Sequence, residues 1–230
     1  MKISKNKLNV VLDIGKTNVK LIFLKNDKIV KEYKTKQQNG SYRNSIKTLK
    51  SAKIIIWLIE KLKKESKKNI LENFVCTTHG CSVAFIGFDN KELIACTDYE
   101  YSFDKYKKEF LKVEPKFSTS FTPLLEGGLN TGLQIFYLSK KFPNVLKKTK
   151  YILSYPQYVA WKLSKTYSTE ITYVGCHSYL WDFKKNKYSQ LTKKLSVEKK
   201  FPPIKKAWDI IGDLKINNKK INILNGVHDS

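Results

Sequence analysis

Hydrophobic and polar positions first fall into three short extended runs. Leu8, Val10, Val11, Leu12 and Ile14 form an apolar, β-branched run of strand length, with Asp13 one residue before its end. Gly15-Lys16-Thr17-Asn18 supplies turn chemistry, and Val19 to Leu24 resumes the extended pattern. Asn26-Asp27-Lys28 is a second turn, and Ile29 to Thr35 continues as a third strand. The spacing therefore predicts three consecutive antiparallel strands. The period then changes: Ile46, Leu49, Ile54, Ile55, Trp57, Leu58, Ile59 and Leu62 fall on one stripe of a long helix, closed by the basic run Lys61 to Lys68.

Ile70 to Thr78 reads as the next strand and delivers His79-Gly80 at its C-terminal end, the edge where α/β sheets place ligand chemistry. Val83 to Phe88, the turn Asp89-Asn90 and Leu93 to Cys96 make another hairpin. The stretch from Asp98 is aromatic and charged, with Asp98, Tyr99 and Glu100 on a loop that enters a helix. Glu126-Gly127-Gly128-Leu129-Asn130 is a loop before a helix with Leu133, Ile135, Phe136, Leu138 and Phe142 on its apolar positions. Phe201-Pro202-Pro203 breaks the preceding helix, and Ile221 to Leu224 is a short last strand. No internal repeat or low-complexity linker marks a boundary, so residues 1–230 are taken as one α/β unit.

Three places along the chain carry candidate chemistry. The tip after Asp13 offers backbone N–H groups and a hydroxyl that can hold a phosphate, with Asp13 beside it to hold a hydrated Mg²⁺. The same Gly and Asn residues would serve a purely structural hairpin equally well. A glycine at position 80 permits close backbone approach to a ligand, or simply ends a strand. His177 can be read as a base, a metal ligand or a hydrogen-bonded loop residue. The three histidines, at 79, 177 and 228, show no His-x-x-His spacing, which speaks against a histidine metal site.

Composition narrows the classes. The net charge of +24 would ordinarily point to nucleic acid or an acidic membrane, but of 44 basic residues only Arg43 is arginine. The lysines are spread along the whole chain as solvated dressing, so neither a nucleic-acid nor a membrane partner is expected. Cys76, Cys81, Cys96 and Cys176 match no C-x-x-C pattern and read as buried, reduced thiols. No apolar stretch approaches bilayer length, and the basic N-terminus lacks a signal-peptide apolar run, so a cytoplasmic location is expected.

Four stretches taken together, the Asp13 hairpin, Thr77-Thr78-His79-Gly80-Cys81-Ser82, Tyr173 to Asp182 and Gly226-Val227-His228-Asp229-Ser230, resemble the FGGY family of carbohydrate kinases, over essentially the whole chain. The resemblance implies a ribonuclease-H-like (actin-like ATPase) fold, the N-terminal half of such a kinase, and ATP-dependent phosphorylation of a sugar hydroxyl. It implies Asp229 as the general base, and Asp13, Gly15, Lys16, Thr17, Asn18, Val19 and Lys20 around the ATP phosphates. Asp13 would hold Mg²⁺, and His79, Gly80, His228 and Ser230 would touch the sugar. His-Asp before a small hydroxyl residue looks most like the rhamnulokinase branch, hence a ketose or deoxyketose. The region of Tyr99 and Glu100 departs from the family's Trp-Asp-x-Arg pattern, so no role is carried over to them. Tyr151 to Leu163 resembles a helical segment of the family, and Trp208 to Leu214 its glycine-bearing link before the last strand. The family continues through a second, adenosine-binding domain. The chain is therefore expected to be a truncated or split kinase half whose missing partner is that C-terminal domain, with a homodimer left open. The reading from a different class is a non-catalytic actin-like module that binds a sugar or a protein.

Overall fold

The computed structural model describes residues 6–37, 40, 42–43 and 45–229. The expected meander forms: β1 (Lys7–Ile14), β2 (Asn18–Lys25) and β3 (Lys28–Lys36) pair antiparallel in turn. Its turns have local causes. Gly15 N–H donates to the Asn18 carbonyl at 2.9 Å. Asn26 and Asp27 take φ of 47° and 61°, a left-handed pair that Asn and Asp tolerate best after glycine.

The first helix starts later than the apolar spacing predicts. Ile46 and Leu49 are buried, but on extended chain: β4 (Tyr42–Arg43) pairs with β5 (Ile46–Lys47), and Thr48 bridges Thr97. Leu49 N–H donates to the Cys96 carbonyl at 2.8 Å, and Asp98 N–H to the Lys47 carbonyl at 3.0 Å. Backbone pairing with residues 96–98 outweighs the helical period there, and α1 (Ser51–Ser66) begins at Ser51. It buries Ile54, Ile55, Leu58 and Leu62 and ends in the lysine run as expected.

β6 (Ile70–Thr78) returns parallel to β1, completing the three-strand, helix, parallel-strand order. β7 (Val83–Gly87) and β8 (Glu92–Ile94) are the expected hairpin. The short helices α2 (Lys107–Phe110) and α3 (Phe117–Ser120) lead to α4 (Thr131–Lys141) and α5 (Pro143–Lys148). Tyr151 to Leu163, expected as helix, divides into β9 (Thr149–Ser154), antiparallel to β7, and α6 (Tyr155–Ser164). The reason is Pro156: proline is tolerated in a helix only within the first turn, so α6 cannot begin more than a turn upstream of it.

Next come α7 (Ile171–Gly175), a small ladder of β10 (Trp181–Asp182) and β11 (Lys187–Tyr188), and α8 (Gln190–Lys194). The expected link at Trp208 to Leu214 is largely an edge strand, β12 (Ile210–Ile216), and Gly212 falls at a break in its register. Glycine there marks a bulge. β13 (Lys219–Leu224) and β14 (Val227–His228) complete the described chain.

Among the described residues the main sheet has seven strands, in the order β12-β13-β6-β1-β2-β3, with β14 also on β6. One face, with Leu8, Val10, Leu12, Phe74, Cys76 and Ile223, packs under α1 and α6. The other carries an amide ladder, Asn222 to Asn73 at 3.1 Å and Asn73 to Asn9 at 2.9 Å. β7 joins this core to a second one. Its Ala84 and Ile86 belong to the first and Val83 and Phe85, with Leu133 and Ile135 of α4, to the second. A strand buried on both faces needs an unbroken apolar run, which VAFIG supplies.

Candidate active site

Register brings three distant sequence stretches to one edge of the sheet. Asp13 of β1 and Val227 of β14 both lie opposite Thr77 of β6, and Ile14 and His228 both lie opposite Thr78. Beyond the pairing, His79 N–H donates to the Ile14 carbonyl at 3.0 Å and Asp229 N–H to the Thr78 carbonyl at 3.1 Å. Asp13 and Asp229 thus flank β6 on strands two spacings, or roughly 10 Å, apart across the sheet, with Asp229 two positions beyond the level of Asp13. Asp13 is half-buried with Lys20 Nζ 3.7 Å from its Oδ2, and Asp229 is exposed.

The turn that presents Asp229 is held from behind. Gln157 on α6 donates Nε2 to the Asn225 carbonyl at 2.8 Å and to the Gly226 carbonyl at 3.2 Å. Asn225, fully buried, donates to the Thr169 and Lys205 carbonyls and accepts from the Ser168 hydroxyl. Gly226 has φ +83°, and a Cβ on it would lie 2.6 Å from the Cys76 carbonyl oxygen. Only glycine turns the chain there.

His79 and Gly80 meet His228 at the same edge. A Cβ on Gly80 would lie 2.3 Å from His228 Nε2, so the glycine lets that ring approach the backbone closely. The His228 ring packs edge-on against Tyr173, which donates its hydroxyl to the Ser82 carbonyl at 2.6 Å. His79 is 8% exposed, its ring held edge-on by Tyr99 and Tyr155. Nδ1 lies 3.0 Å from the Gly80 carbonyl, while Nε2 is buried and has no hydrogen-bond partner among the described residues. With Nδ1 donating, Nε2 is an acceptor waiting for a donor. Burial pushes the His79 pKa down, helped by the Lys16 charge and opposed by the Gly80 carbonyl and by Asp229 and Asp98, so the ring stays neutral near pH 7.

The hairpin tip is less uniform than the sequence implies. Gly15, Thr17 and Asn18 lie at the accessible turn, but the Val19 side chain is 0% exposed in the main core, so its side chain cannot face a nucleotide. In the Asp13–Lys20 register Val19 points to the core side of the pleat, so its part at the tip is its backbone. Lys16 is turned to the acidic loop, its Nζ 2.5 Å from Asp98 Oδ1 and 3.2 Å from Glu100 Oε2. Lys47 Nζ reaches the same two residues at 3.1 and 3.7 Å. Burial alone would raise the Asp98 pKa, but hydrogen bonds from Lys16, the Glu100 N–H and Lys47 hold the carboxyl below its usual range.

The sequence pattern alone gives no role to Asp98 or Lys47. Lys47 lies in a stretch that reads as helix, and its link to Asp98 exists only through tertiary pairing. Ser230 lies outside the described residues. His177 is exposed with φ 51°, and its carbonyl accepts from Asn130 Nδ2 at 2.9 Å. Cys76, Cys81 and Cys96 are buried free thiols and Cys176 is half-buried; burial pushes the Cys81 thiol up to about 12. Among the described residues no cluster of three or more His, Cys, Asp or Glu could hold a metal, and no helix is long and apolar enough to cross a membrane. Mg²⁺ asks for less: one or two carboxylates, water and phosphate oxygens, which Asp13 beside the open hairpin tip fits.

No family model and no curated protein matches the sequence. Solved structures do. A carbohydrate kinase from Novosphingobium aromaticivorans superposes with a TM-score of 0.89 at 25% identity, over 98% of this chain and 49% of that one. Xylulose kinase from Lactobacillus acidophilus gives 0.81 at 15% identity, over 97% and 48%. Plasmodium falciparum glycerol kinase, solved with ADP, gives 0.79 at 16% identity, over 97% and 49%. These neighbours are FGGY-type carbohydrate kinases, and the chain has their fold. It spans about half the length of the FGGY-type kinases it matches. The mixed sheet with its β1-β2-β3 meander and parallel β6 is the actin-like arrangement expected from the sequence.

Proposed function

We propose that this chain is the acceptor- and phosphate-binding half of an ATP-dependent sugar kinase, with a ketose or deoxyketose as the acceptor. The observation that carries the reading is the convergence of Asp13, His79 and Asp229, from β1, the end of β6 and the end of β14, on one sheet edge. Phosphoryl transfer needs little covalent work from a protein: positioning, charge neutralisation and a group to take the hydroxyl proton.

Asp229, exposed at the strand end, takes the proton from the acceptor hydroxyl as that oxygen bonds to phosphorus and the bond to the leaving phosphate breaks. The neutral His79 accepts a hydrogen bond from a second hydroxyl at Nε2, and His228 with Gly80 shapes the floor between them. The hairpin from Gly15 to Lys20 meets the phosphates through its backbone and Thr17. Asp13 would hold Mg²⁺, which when bound neutralises charge on the transferred group. The adenosine is met by a second domain of comparable size, matching the half of each neighbour that this chain does not cover.

Asp229→Asn in the complete active unit, this chain together with that second domain, tests the reading. Loss of the carboxylate with its shape kept should lower kcat by about a hundredfold or more and leave acceptor affinity within a few fold. Turnover near the parental rate would remove Asp229 as the base. A unit that binds sugars but transfers nothing would favour the non-catalytic binding module.

A further inference from the structure

Lys16 sits in the hairpin that the kinase reading gives to phosphate, yet its ammonium serves a different part of the molecule. It crosses to the loop after β8 and lies 2.5 Å from Asp98, a carboxylate with 0% side-chain exposure. It also lies 3.2 Å from Glu100 and 4.7 Å from the centre of the Tyr99 ring. Three consecutive loop residues are thus gathered by one lysine. A carboxylate this deep keeps its charge only while cations stay beside it.

Asp98 is also the hub of its own loop. Its Oδ1 accepts from the Glu100 N–H at 3.0 Å, its carbonyl accepts from the Tyr101 N–H at 3.0 Å, and its N–H donates to the Lys47 carbonyl at 3.0 Å. The Tyr99 carbonyl accepts from Gly128 N–H at 2.8 Å, tying in the loop before α4. On its far side the Tyr99 ring stands edge-on to His79 at 5.1 Å between centroids. A continuous path therefore runs from Lys16 through Tyr99 to the imidazole whose Nε2 has no partner among the described residues.

We propose that Lys16 is a positioning residue for the sugar side of the site: it rivets the Asp98–Tyr101 loop to the phosphate hairpin and thereby fixes Tyr99 and His79 against the acceptor. This rests on the kinase reading of the site and revises one part of it, since a lysine drawn off to phosphate would abandon the buried Asp98 to Lys47 alone. The consequence is a split between substrates. Loss of the ammonium disturbs the acceptor and leaves the nucleotide's affinity in place.

The kinetic test uses the complete active unit with ATP and whichever of D-xylulose, L-rhamnulose, D-gluconate and glycerol it phosphorylates best. Lys16→Met should lower kcat/KM for the acceptor by about a hundredfold, the scale of a small misplacement of reacting groups, with KM for ATP within about twofold. Lys16→Arg, which keeps the cation, should recover most of the loss. Asp98→Asn should lower the same parameter, and the double variant should be no worse than the poorer single one. A rise in KM for ATP that matches the acceptor loss, or no rescue by arginine, would overturn the proposal in favour of a phosphate or merely structural role. A second measurement does not depend on catalysis. In the 230-residue chain, Lys16→Met should speed hydrogen exchange at the Glu100 and Tyr101 amides by roughly tenfold or more, with affinity for Mg²⁺-tripolyphosphate unchanged. Unchanged exchange would sink the rivet even if no acceptor is ever phosphorylated, an outcome that would separately remove the kinase reading.

Discussion

His79 is the residue whose environment makes the sharpest solution prediction. Burial lowers its pKa from the model-compound 6.5 and the nearby Lys16 charge lowers it further, against the Gly80 carbonyl, Asp229 and Asp98. The unfolded chain therefore binds a proton near pH 6.5 that the folded chain refuses. Stability linked to His79 is full above pH 6.5 and is lost as pH falls from there through the folded value. Chemical unfolding followed between pH 7.5 and 5.5 should show a decline that His79→Gln makes shallower. An identical slope in both proteins would mean that the folded ring takes up its proton as readily as the unfolded one. Sugar binding should weaken over the same interval, because protonation turns Nε2 from acceptor to donor.

Elements were legible where one local pattern had no rival. The β1 to β3 meander is written in short alternating runs with Asn-Asp and Gly-Lys turns, and β6 in one run of strand length, so these strands fell where the spacing put them. The start of α1 was not legible: Ile46 and Leu49 fit a helical stripe, and only pairing with residues 96–98 shows that they are extended. The site divides in the same way. Asp13, His79 and Asp229 each stood out at a strand end, but their common edge is a property of parallel register, and the Lys16–Asp98 contact joins residues 82 positions apart. At this scale the joint between β13 and β14 is the critical one, since it moves the chain along β6 from Phe74 to Thr77 and delivers Asp229. Gly226→Ala must hold alanine at φ +83° with its Cβ 2.6 Å from the Cys76 carbonyl oxygen. We expect a loss of about 2–4 kcal/mol, combining left-handed strain with a backbone clash, read as a lower urea midpoint at unchanged m. A loss under about 0.5 kcal/mol, the range of a neutral surface change, would show that the turn relaxes without cost.

At the scale of the whole molecule the dominant number is the net charge of +24, which invites a nucleic-acid reading. Where lysine partners are visible, the ammonium groups serve the fold or its surface. Lys31 meets Glu65 at 2.6 Å while Lys61 and Lys64 lie over Tyr33, joining α1 to β3. Lys140 meets Glu109 at 2.9 Å on α4, and Lys219 donates to the Asn69 carbonyl at 3.0 Å near the opposite end of the sheet. Charge distributed in this way raises the general potential along the whole surface. Arginine's bidentate fork, the commonest reader of guanine, occurs once in the sequence, at Arg43. We therefore expect only non-specific attraction, with apparent affinities for a 30-nucleotide DNA or RNA no tighter than about micromolar at physiological salt and falling steeply as salt rises. Fluorescence anisotropy across a salt series checks this. Binding that stays tighter than about micromolar at 0.15 M salt, or that discriminates between sequences, would mean that the lysines form a true recognition surface.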